Sequence, residues 1–494
     1  MSALPFPLYT SEQVRQLDRY VIDTLGISGT VLMERAGAAA FVELQKRWLK
    51  AKRIVIVCGS GNNAGDGFVL ARLAKAAGYD LRVLQVGDPS HLHGDAFSAA
   101  QRLQSMDVIL EPLATQDLRV YDVIVDALLG TGLKGEVSGD YAAAIQLINQ
   151  AQRPVFSLDI PSGLEASDGV VFGHAVHASC TLSFLGLKRG LFTGDGPDYA
   201  GAVVFDDLKV PAEVYQQLTV DVERIDYPRF KSVIKPRPRA VHKGDCGHVL
   251  VVGGEHGFSG AARMAGEAAL RCGAGLVSIA TRHGHAAMLN ANRPELMVHG
   301  VETEVELQRL VDRADVIAIG PGLGSHDWGQ RLFQAALESG LPLVVDADAL
   351  NLLAQHPQQR EQWVLTPHVG EAARLLGRAN QEVHHNRFTA VRDLQKQFGG
   401  LVVLKGAGSL IAAAEGPLFL CSEGNPGMAS GGMGDILTGT IASFIAQGFG
   451  LSLATYLGVV THAAAGDAAA KAAGERGLLA SDLMSWLRRL VNPA

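Results

Sequence analysis

The sequence predicts an α/β fold in two domains, the first of them a doubly wound, largely parallel sheet. Three observations lead there. The chain has 494 residues, too many for one ordinary hydrophobic core. Short continuous apolar runs of strand length alternate with alanine-rich helical stretches. Polar residues collect at the ends of those runs, where open parallel sheets bind their ligands.

Composition narrows the function classes. Hydrophobic residues make up 48% and charged residues 19%, as in globular chains rather than disordered ones. A net charge of −7 at pH 7 gives no electrostatic reason to bind nucleic acid or an anionic membrane. Cys58, Cys180, Cys246, Cys272 and Cys421 are scattered, with no C-x-x-C pair. That pattern argues against a zinc site or a disulfide framework and suits a reducing cytoplasm. The opening residues, MSALPFPLYTSEQVRQLD, lack a basic start and an apolar run, so no signal peptide is expected. From Ile436 to Gly466 there is no Asp, Glu, Lys or Arg. Gln447, Gly448 and Gly450 interrupt that run, which reads as two buried helices rather than a membrane span.

In the first half the runs RIVIVC (53–58), LRVLQV (81–86), VIVDAL (123–128) and PVFSLD (154–159) are the expected parallel strands, with a helix over 68–77 between the first two. CGSGNNAGDGFVLAR (58–72) joins a strand to a helix. Its glycines Gly59, Gly61, Gly65 and Gly67 allow tight turns, and the helix start offers N–H groups to an anion. Gly59-x-Gly61-x-x-Ala64 satisfies the loose Rossmann-like fingerprint, weak evidence alone. Asn62, Asn63 and Asp66 inside the loop can hold sugar hydroxyls or a hard cation, which a plain phosphate turn does not need. VDALLGTGLKGE (125–136) adds Asp126, Thr131, Lys134 and Glu136, and LDIPSG (158–163) adds Asp159 and Ser162. Each could be only a turn, but carboxylates at consecutive strand ends favour a site.

NNAGDG, DALLGTG and DIPSG, in this order, resemble the NAD(P)H-hydrate epimerase domain over about residues 10 to 210. The resemblance implies that Asn62, Asn63, Ala64, Gly65 and Asp66 hold the hydrated nucleotide, together with Gly130, Thr131, Gly132, Leu133, Lys134, Gly135 and Glu136. It also implies that Asn63, Asp126 and Ser162 coordinate a potassium ion and that Asp159 works at the substrate. A carboxylate there suits general acid–base chemistry, moving a hydroxyl between ring faces.

The stretch YPRFKSVIKPRPRAVHKGD (227–245), with Pro228, Pro236 and Pro238, reads as a proline-stiffened linker between domains 1–220 and 227–494. Beyond it HVLVVGG (248–254), LVSIAT (276–281), DVIAIGPG (315–322), LPLVVDAD (341–348), WVLTPH (363–368) and LVVLKG (401–406) form a second α/β series. All of these runs but LVSIAT end in Gly, Asp, His or Lys. NPGMASGGMGDILTGTIASF (425–444) is the strongest signal in the chain. Gly431, Gly432 and Gly434 precede Asp435 and an apolar helix, which makes an anion cradle with a carboxylate beside it. Such a carboxylate can take a proton from an attacking hydroxyl in phosphoryl transfer, or merely cap the helix. In LKGAGSLI (404–411), a strand, a tight turn and a second strand, Lys405 either faces a phosphate or is a surface hairpin lysine. His368 is either a ligand or a turn histidine; without a partner His, a metal role is rejected.

HKGDCGHVLVVGG, FSGAARMA, GPGLG, DADALN, LTPHVGE, KGAGS and NPGMASGGMGD together resemble the ADP/ATP-dependent NAD(P)H-hydrate dehydratase domain over about 240 to 490. That resemblance implies a ribokinase-like α/β fold. It also implies that Lys405, Gly406, Ala407, Gly408, Ser409 and Gly434 bind ADP or ATP with Mg2+. Ala261, Gly322, His368 and Asp435 would contact the substrate, with Asp435 activating the C6 hydroxyl. The joined modules imply a bifunctional, cytoplasmic, homo-oligomeric enzyme that repairs hydrated NADH and NADPH (NADHX and NADPHX). A vitamin kinase with a regulatory first domain, a non-catalytic scaffold and a nicotinamide dehydrogenase are the rivals. NNAGDG and DIPSG count against the first, and intact Asp126, Asp159 and Asp435 against the second. Asp88 is only a marginal ribose-binding acid for the third.

Overall fold

The apolar runs of the first half become the strands of one sheet. A computed structural model describes residues 4–113, 117–133 and 135–492 and divides the chain into two units, Met1–Glu223 and Arg224–Ala494. The first unit begins with β1 (Pro7–Leu8), followed by β2 (Arg53–Cys58), β3 (Asp80–Gln85), β4 (Leu110–Pro112), β5 (Val123–Ala127), β6 (Val155–Leu158), β7 (Cys180–Phe184) and β8 (Ala202–Asp206). β9 (Val222–Ile225) pairs antiparallel with β1. β2 to β8 form a parallel sheet ordered β4-β3-β2-β5-β6-β7-β8. Its order reverses between β2 and β5, which fixes the crevice where a ligand belongs. β7 escapes sequence reading because Thr181 and Ser183 break up its apolar run; both hydroxyls are buried against backbone carbonyls.

The helix after β2 runs Asn62–Ala76 and so starts earlier than the apolar pattern predicts. Asn62 to Asp66 form its first turn, with Gly61 as a cap that offers no side-chain hydrogen bond. The first N–H groups are therefore left for other partners.

The second unit contains β10 (His248–Val252), β11 (Leu276–Thr281), β12 (Met297–Gly300), β13 (Val316–Ile319), β14 (Leu343–Val345), β15 (Trp363–Leu365), β16 (Leu401–Leu404), β17 (Ser409–Ala412) and β18 (Leu418–Cys421). They are ordered β18-β17-β16-β15-β14-β13-β10-β11-β12. Pairing is parallel from β12 to β16 and antiparallel from β16 to β18. The switch lies between β10 and β13. The uncharged run folds into the buried helices Met433–Ala446 and Leu451–Ala473, and no helix among the described residues is long and apolar enough to cross a membrane.

The 227–245 stretch, expected as an extended, proline-stiffened connector, is docked at its start. It opens with the short helix Tyr227–Phe230, and Tyr227, Phe230, Val233 and Ile234 pack against the second core. The apolar residues between its prolines dock it.

Candidate active sites

In the first unit three strand ends converge. Asp126, at the end of β5, is fully buried. It accepts hydrogen bonds from Ser157 Oγ at 2.8 Å, Ser162 N at 2.9 Å and Ser162 Oγ at 2.5 Å. Burial raises its carboxyl above the usual range, while the Ser162 and Ser157 donors oppose the rise. Asn63 donates to the Leu129 carbonyl at 3.0 Å, and Ser162 Oγ lies 3.2 Å from the same oxygen. Asn63 Oδ1 is buried without a hydrogen-bond partner. Asn63, Asp126, Ser162 and the Leu129 carbonyl thus form an oxygen-rich nest with one unsatisfied acceptor, a donor set that fits a hard monovalent cation. All five cysteines are free and buried. Among the described residues no three His, Cys, Asp or Glu side chains form a metal-holding group.

Asp159 follows β6 with φ +65, a left-handed backbone that a non-glycine residue adopts only where its surroundings hold it. Its carboxylate pairs with the ammonium of Lys188, which is fully buried. Lys188 also donates to the Phe184 carbonyl at 2.9 Å and Ser183 Oγ at 3.2 Å. A Cβ on Gly130 would stand 3.4 Å from Asn63 Cβ and 4.0 Å from Asp159 Oδ2, so Gly130 borders both groups.

The other residues picked out by motif divide. Asn62 is exposed and Asp66 half-buried, whereas Ala64 is buried and Gly65 faces Met33 and Ala96. Thr131 accepts from Arg15 at 3.5 Å; Gly132, Gly135 and Glu136 are exposed, and Leu133 packs on the core. Lys134 lies outside the described residues. Motif reading missed Lys188 and Asp18. Burial pushes the Asp18 carboxyl up to about 6, with Asp159 adding to the rise and Lys188 opposing it. Burial likewise raises Asp66, with Asp159 and Asp18 adding. Asp18 is one of four charged residues in the helix Ser11–Arg19, and the local pattern does not single it out.

In the second unit the site gathers at the ends of β10, β13, β14, β15 and β16. Lys405, after β16, donates to Asp346 Oδ1 at 2.6 Å and lies 3.9 Å from Glu371 Oε2. Thr438, from the helix Met433–Ala446, donates to the other Asp346 oxygen at 3.0 Å. Burial alone would raise the Asp346 carboxyl; the Lys405 ammonium and these hydrogen bonds hold it below its ordinary value. Burial would lower Lys405, and the neighbouring Asp346 and Glu371 carboxylates keep it raised instead.

Asp435 stands in the first turn of that helix. Burial pushes its carboxyl up to about 6, with the Asp346 charge adding and Lys405 opposing. The cap is Gly432 at φ +91, and no side chain caps the helix. A Cβ on Gly434 would come within 3.1 Å of Asp346 Oδ2 and 3.2 Å of Lys405 Nζ. A side chain at this position would press on the ion pair.

The KGAGS turn has an organiser that motif reading overlooked. Arg387 is buried and donates to the carbonyls of Leu404, Lys405 and Gly408. A Cβ on Gly406 would meet its guanidinium at 2.8 Å. Ser409 Oγ donates to the Gly406 carbonyl, and Ala407 is exposed at the tip. His368 caps the helix Val369–Leu376: its ring accepts from Gly370 N, and Glu371 accepts from its backbone N–H. Gly322 lies against Phe258 and Ala261.

A Rossmann-like unit followed by a ribokinase-like unit, each with carboxylates at its strand ends, defines a two-site α/β enzyme. Residues 249–489 match the NAD(P)H-hydrate dehydratase family and residues 29–190 the YjeF-related protein N-terminus family. The bifunctional NAD(P)H-hydrate repair enzyme Nnr of Coxiella burnetii is 47% identical over 98% of this chain and 99% of its own. That of Escherichia coli K12 is 41% identical, over 99% and 95%. A solved ribokinase-like superfamily protein from Enterococcus faecalis is 33% identical with a TM-score of 0.52, covering 56% of this chain and 97% of that one. The chain belongs to the bifunctional NAD(P)H-hydrate repair enzyme family.

Proposed function

We propose that the first unit interconverts the two C6 epimers of hydrated NADH and NADPH. The second unit returns the S form to the reduced nucleotide at the expense of ADP or ATP. The observation that carries this is Asp435, a carboxyl raised by burial at a glycine-lined helix start, beside the Lys405–Asp346 pair. Lys405, Gly406, Ala407, Gly408, Ser409 and Gly434 hold the nucleotide, and Ala261, Gly322 and His368 border the hydrated ring. Asp435 takes the proton of the C6 hydroxyl as its oxygen attacks the terminal phosphoryl group. The phosphate then leaves C6 and a proton leaves C5, which restores the ring double bond.

In the first unit residues 62–66 and 130–136 cradle the substrate, and Asp159 moves protons at C6. Asn63, Asp126 and Ser162 would hold K+, whose charge would fix the nest beside the 130–136 loop; the unpartnered Asn63 Oδ1 supports this. Mg2+ would arrive with the nucleotide phosphates, keeping several waters. A homo-oligomeric, cytoplasmic enzyme fits the same reading. The protein, mixed with hydrated NADH, Mg2+ and ADP or ATP, should restore absorbance at the reduced-nicotinamide band. No restoration with either nucleotide, or equal restoration without one, would overturn the assignment.

A further inference from the structure

We propose that Asp18 is the second catalytic carboxyl of the first site. It protonates the departing C6 hydroxyl on one face of the ring, while the Asp159 carboxylate, held by Lys188, deprotonates the water entering on the other. This rests on the epimerase reading of that unit and deepens it. Asp18 precedes residue 29, where the family match begins.

Placement comes from the helix Ser11–Arg19. Its start is tied to Lys188: Tyr9 N donates to the Leu187 carbonyl at 2.8 Å, and Arg189 N to the Tyr9 carbonyl at 3.0 Å. One turn on, Arg15 reaches the Thr131 carbonyl at 3.5 Å, so this face turns toward the 130–136 loop. Asp18 is three residues beyond Arg15 and shares that face. Gly130, in the same loop, borders Asp159. Asp18 therefore shares the helix face whose Arg15 reaches Thr131, and Asp159 stands at the end of β6 beside Gly130.

Charge supports a division of labour. Asp18, Asp66 and Asp159 interact electrostatically with one another and with Lys188. Asp159 takes the direct ion pair, and burial favours protons on the other two. Burial raises Asp66 as well, and Asp18, pushed up to about 6, can both give and accept a proton near neutral pH. A reversible reaction needs that.

The C6 carbon bears its hydroxyl next to N1, so the nitrogen lone pair can expel it. The C6–O bond breaks as Asp18 delivers its proton, and one water leaves. A second water adds to C6 from the opposite face and gives its proton to Asp159, while the electron pair returns to N1. The cluster ends with one proton moved from Asp18 to Asp159, ready for the reverse reaction or for resetting through solvent.

The test uses the full chain without ADP or ATP, one pure epimer of hydrated NADH and water enriched in heavy oxygen. The expected wild-type result is one solvent oxygen incorporated per inversion. Asp18→Asn should slow inversion by roughly 10² or more, yet leave ADP-dependent dehydration of the S epimer unchanged. Asp18→Glu, which keeps the acid, should recover part of the rate and carries the test if the amide variant does not fold. Inversion with the original oxygen retained, or full-rate inversion by Asp18→Asn, would overturn the proposal. A wild-type protein that does not accelerate inversion at all would instead sink the epimerase reading itself.

Discussion

Lys405 Nζ lies 2.6 Å from Asp346 Oδ1, which ties the end of β16 to the end of β14 beneath the start of the helix Met433–Ala446. The residue after Asp346, Ala347, is held at φ +47, and Thr438 secures the second carboxylate oxygen. The pair is thus part of the frame as well as part of the charge at the site.

The losses of the two partners should not add. Asp346→Asn leaves the Lys405 ammonium inside with a weakened partner set, and breaking a buried pair costs about 3 to 5 kcal/mol. Thermal unfolding of the second unit should drop accordingly. The double variant Asp346→Asn with Lys405→Met should be less destabilised than the two single losses summed. Strict additivity would mean that the pair is not coupled.

Asp435→Asn should lower dehydration by roughly 10² to 10⁴, the usual worth of a general base. The same change should stabilise the fold near neutral pH. A carboxyl raised to about 6 when folded favours folding below its unfolded pKa, and that advantage is lost as pH rises through the folded value. The neutral amide removes this loss. The gain, on the order of 1 kcal/mol after solvent screening, is about 2–4 °C in Tm. It should appear at pH 8 and vanish near pH 4.

Dehydration by the unmodified protein should rise with pH through about 6, because Asp435 must lose its proton before it can act as a base. A rate under subsaturating substrate that is flat from pH 5 to 8 would take the base role from Asp435.

Exchanging K+ for choline should slow inversion of the epimers and leave ADP-dependent dehydration of the S form untouched. Asn63→Ala removes the unpartnered Oδ1 and should abolish the response to K+. A variant as K+-dependent as the parent would place the ion elsewhere.

Strand existence was legible because parallel strands buried on both faces are continuous apolar runs, as in RIVIVC and WVL. The glycine loops were legible because backbone approach restricts residue type, as at Gly434. What escaped was long-range. Lys188 and Asp18 lie outside the glycine motifs; folding alone pairs Lys188 with Asp159 and puts Asp18 under the influence of its charge. Arg387 reads as one more helix-surface arginine until β16 and β17 present their turn carbonyls to it. The 227–245 stretch looked like a connector because its prolines dominate the local pattern, while the core that covers Phe230 and Ile234 comes from elsewhere in the chain.

Whether the two sites act in sequence is read from one progress curve. Hydrated NADH containing both epimers is mixed with the full chain, ADP or ATP, K+ and Mg2+, and the reduced-nicotinamide absorbance is followed to its end. The wild-type protein should convert all the substrate in one smooth course. Asp159→Asn should consume the S form at the normal rate, then stall and creep at the spontaneous rate of epimerisation. Smooth completion by Asp159→Asn would contradict the account, and repeating the run with pure R epimer would show whether the second site accepts both forms.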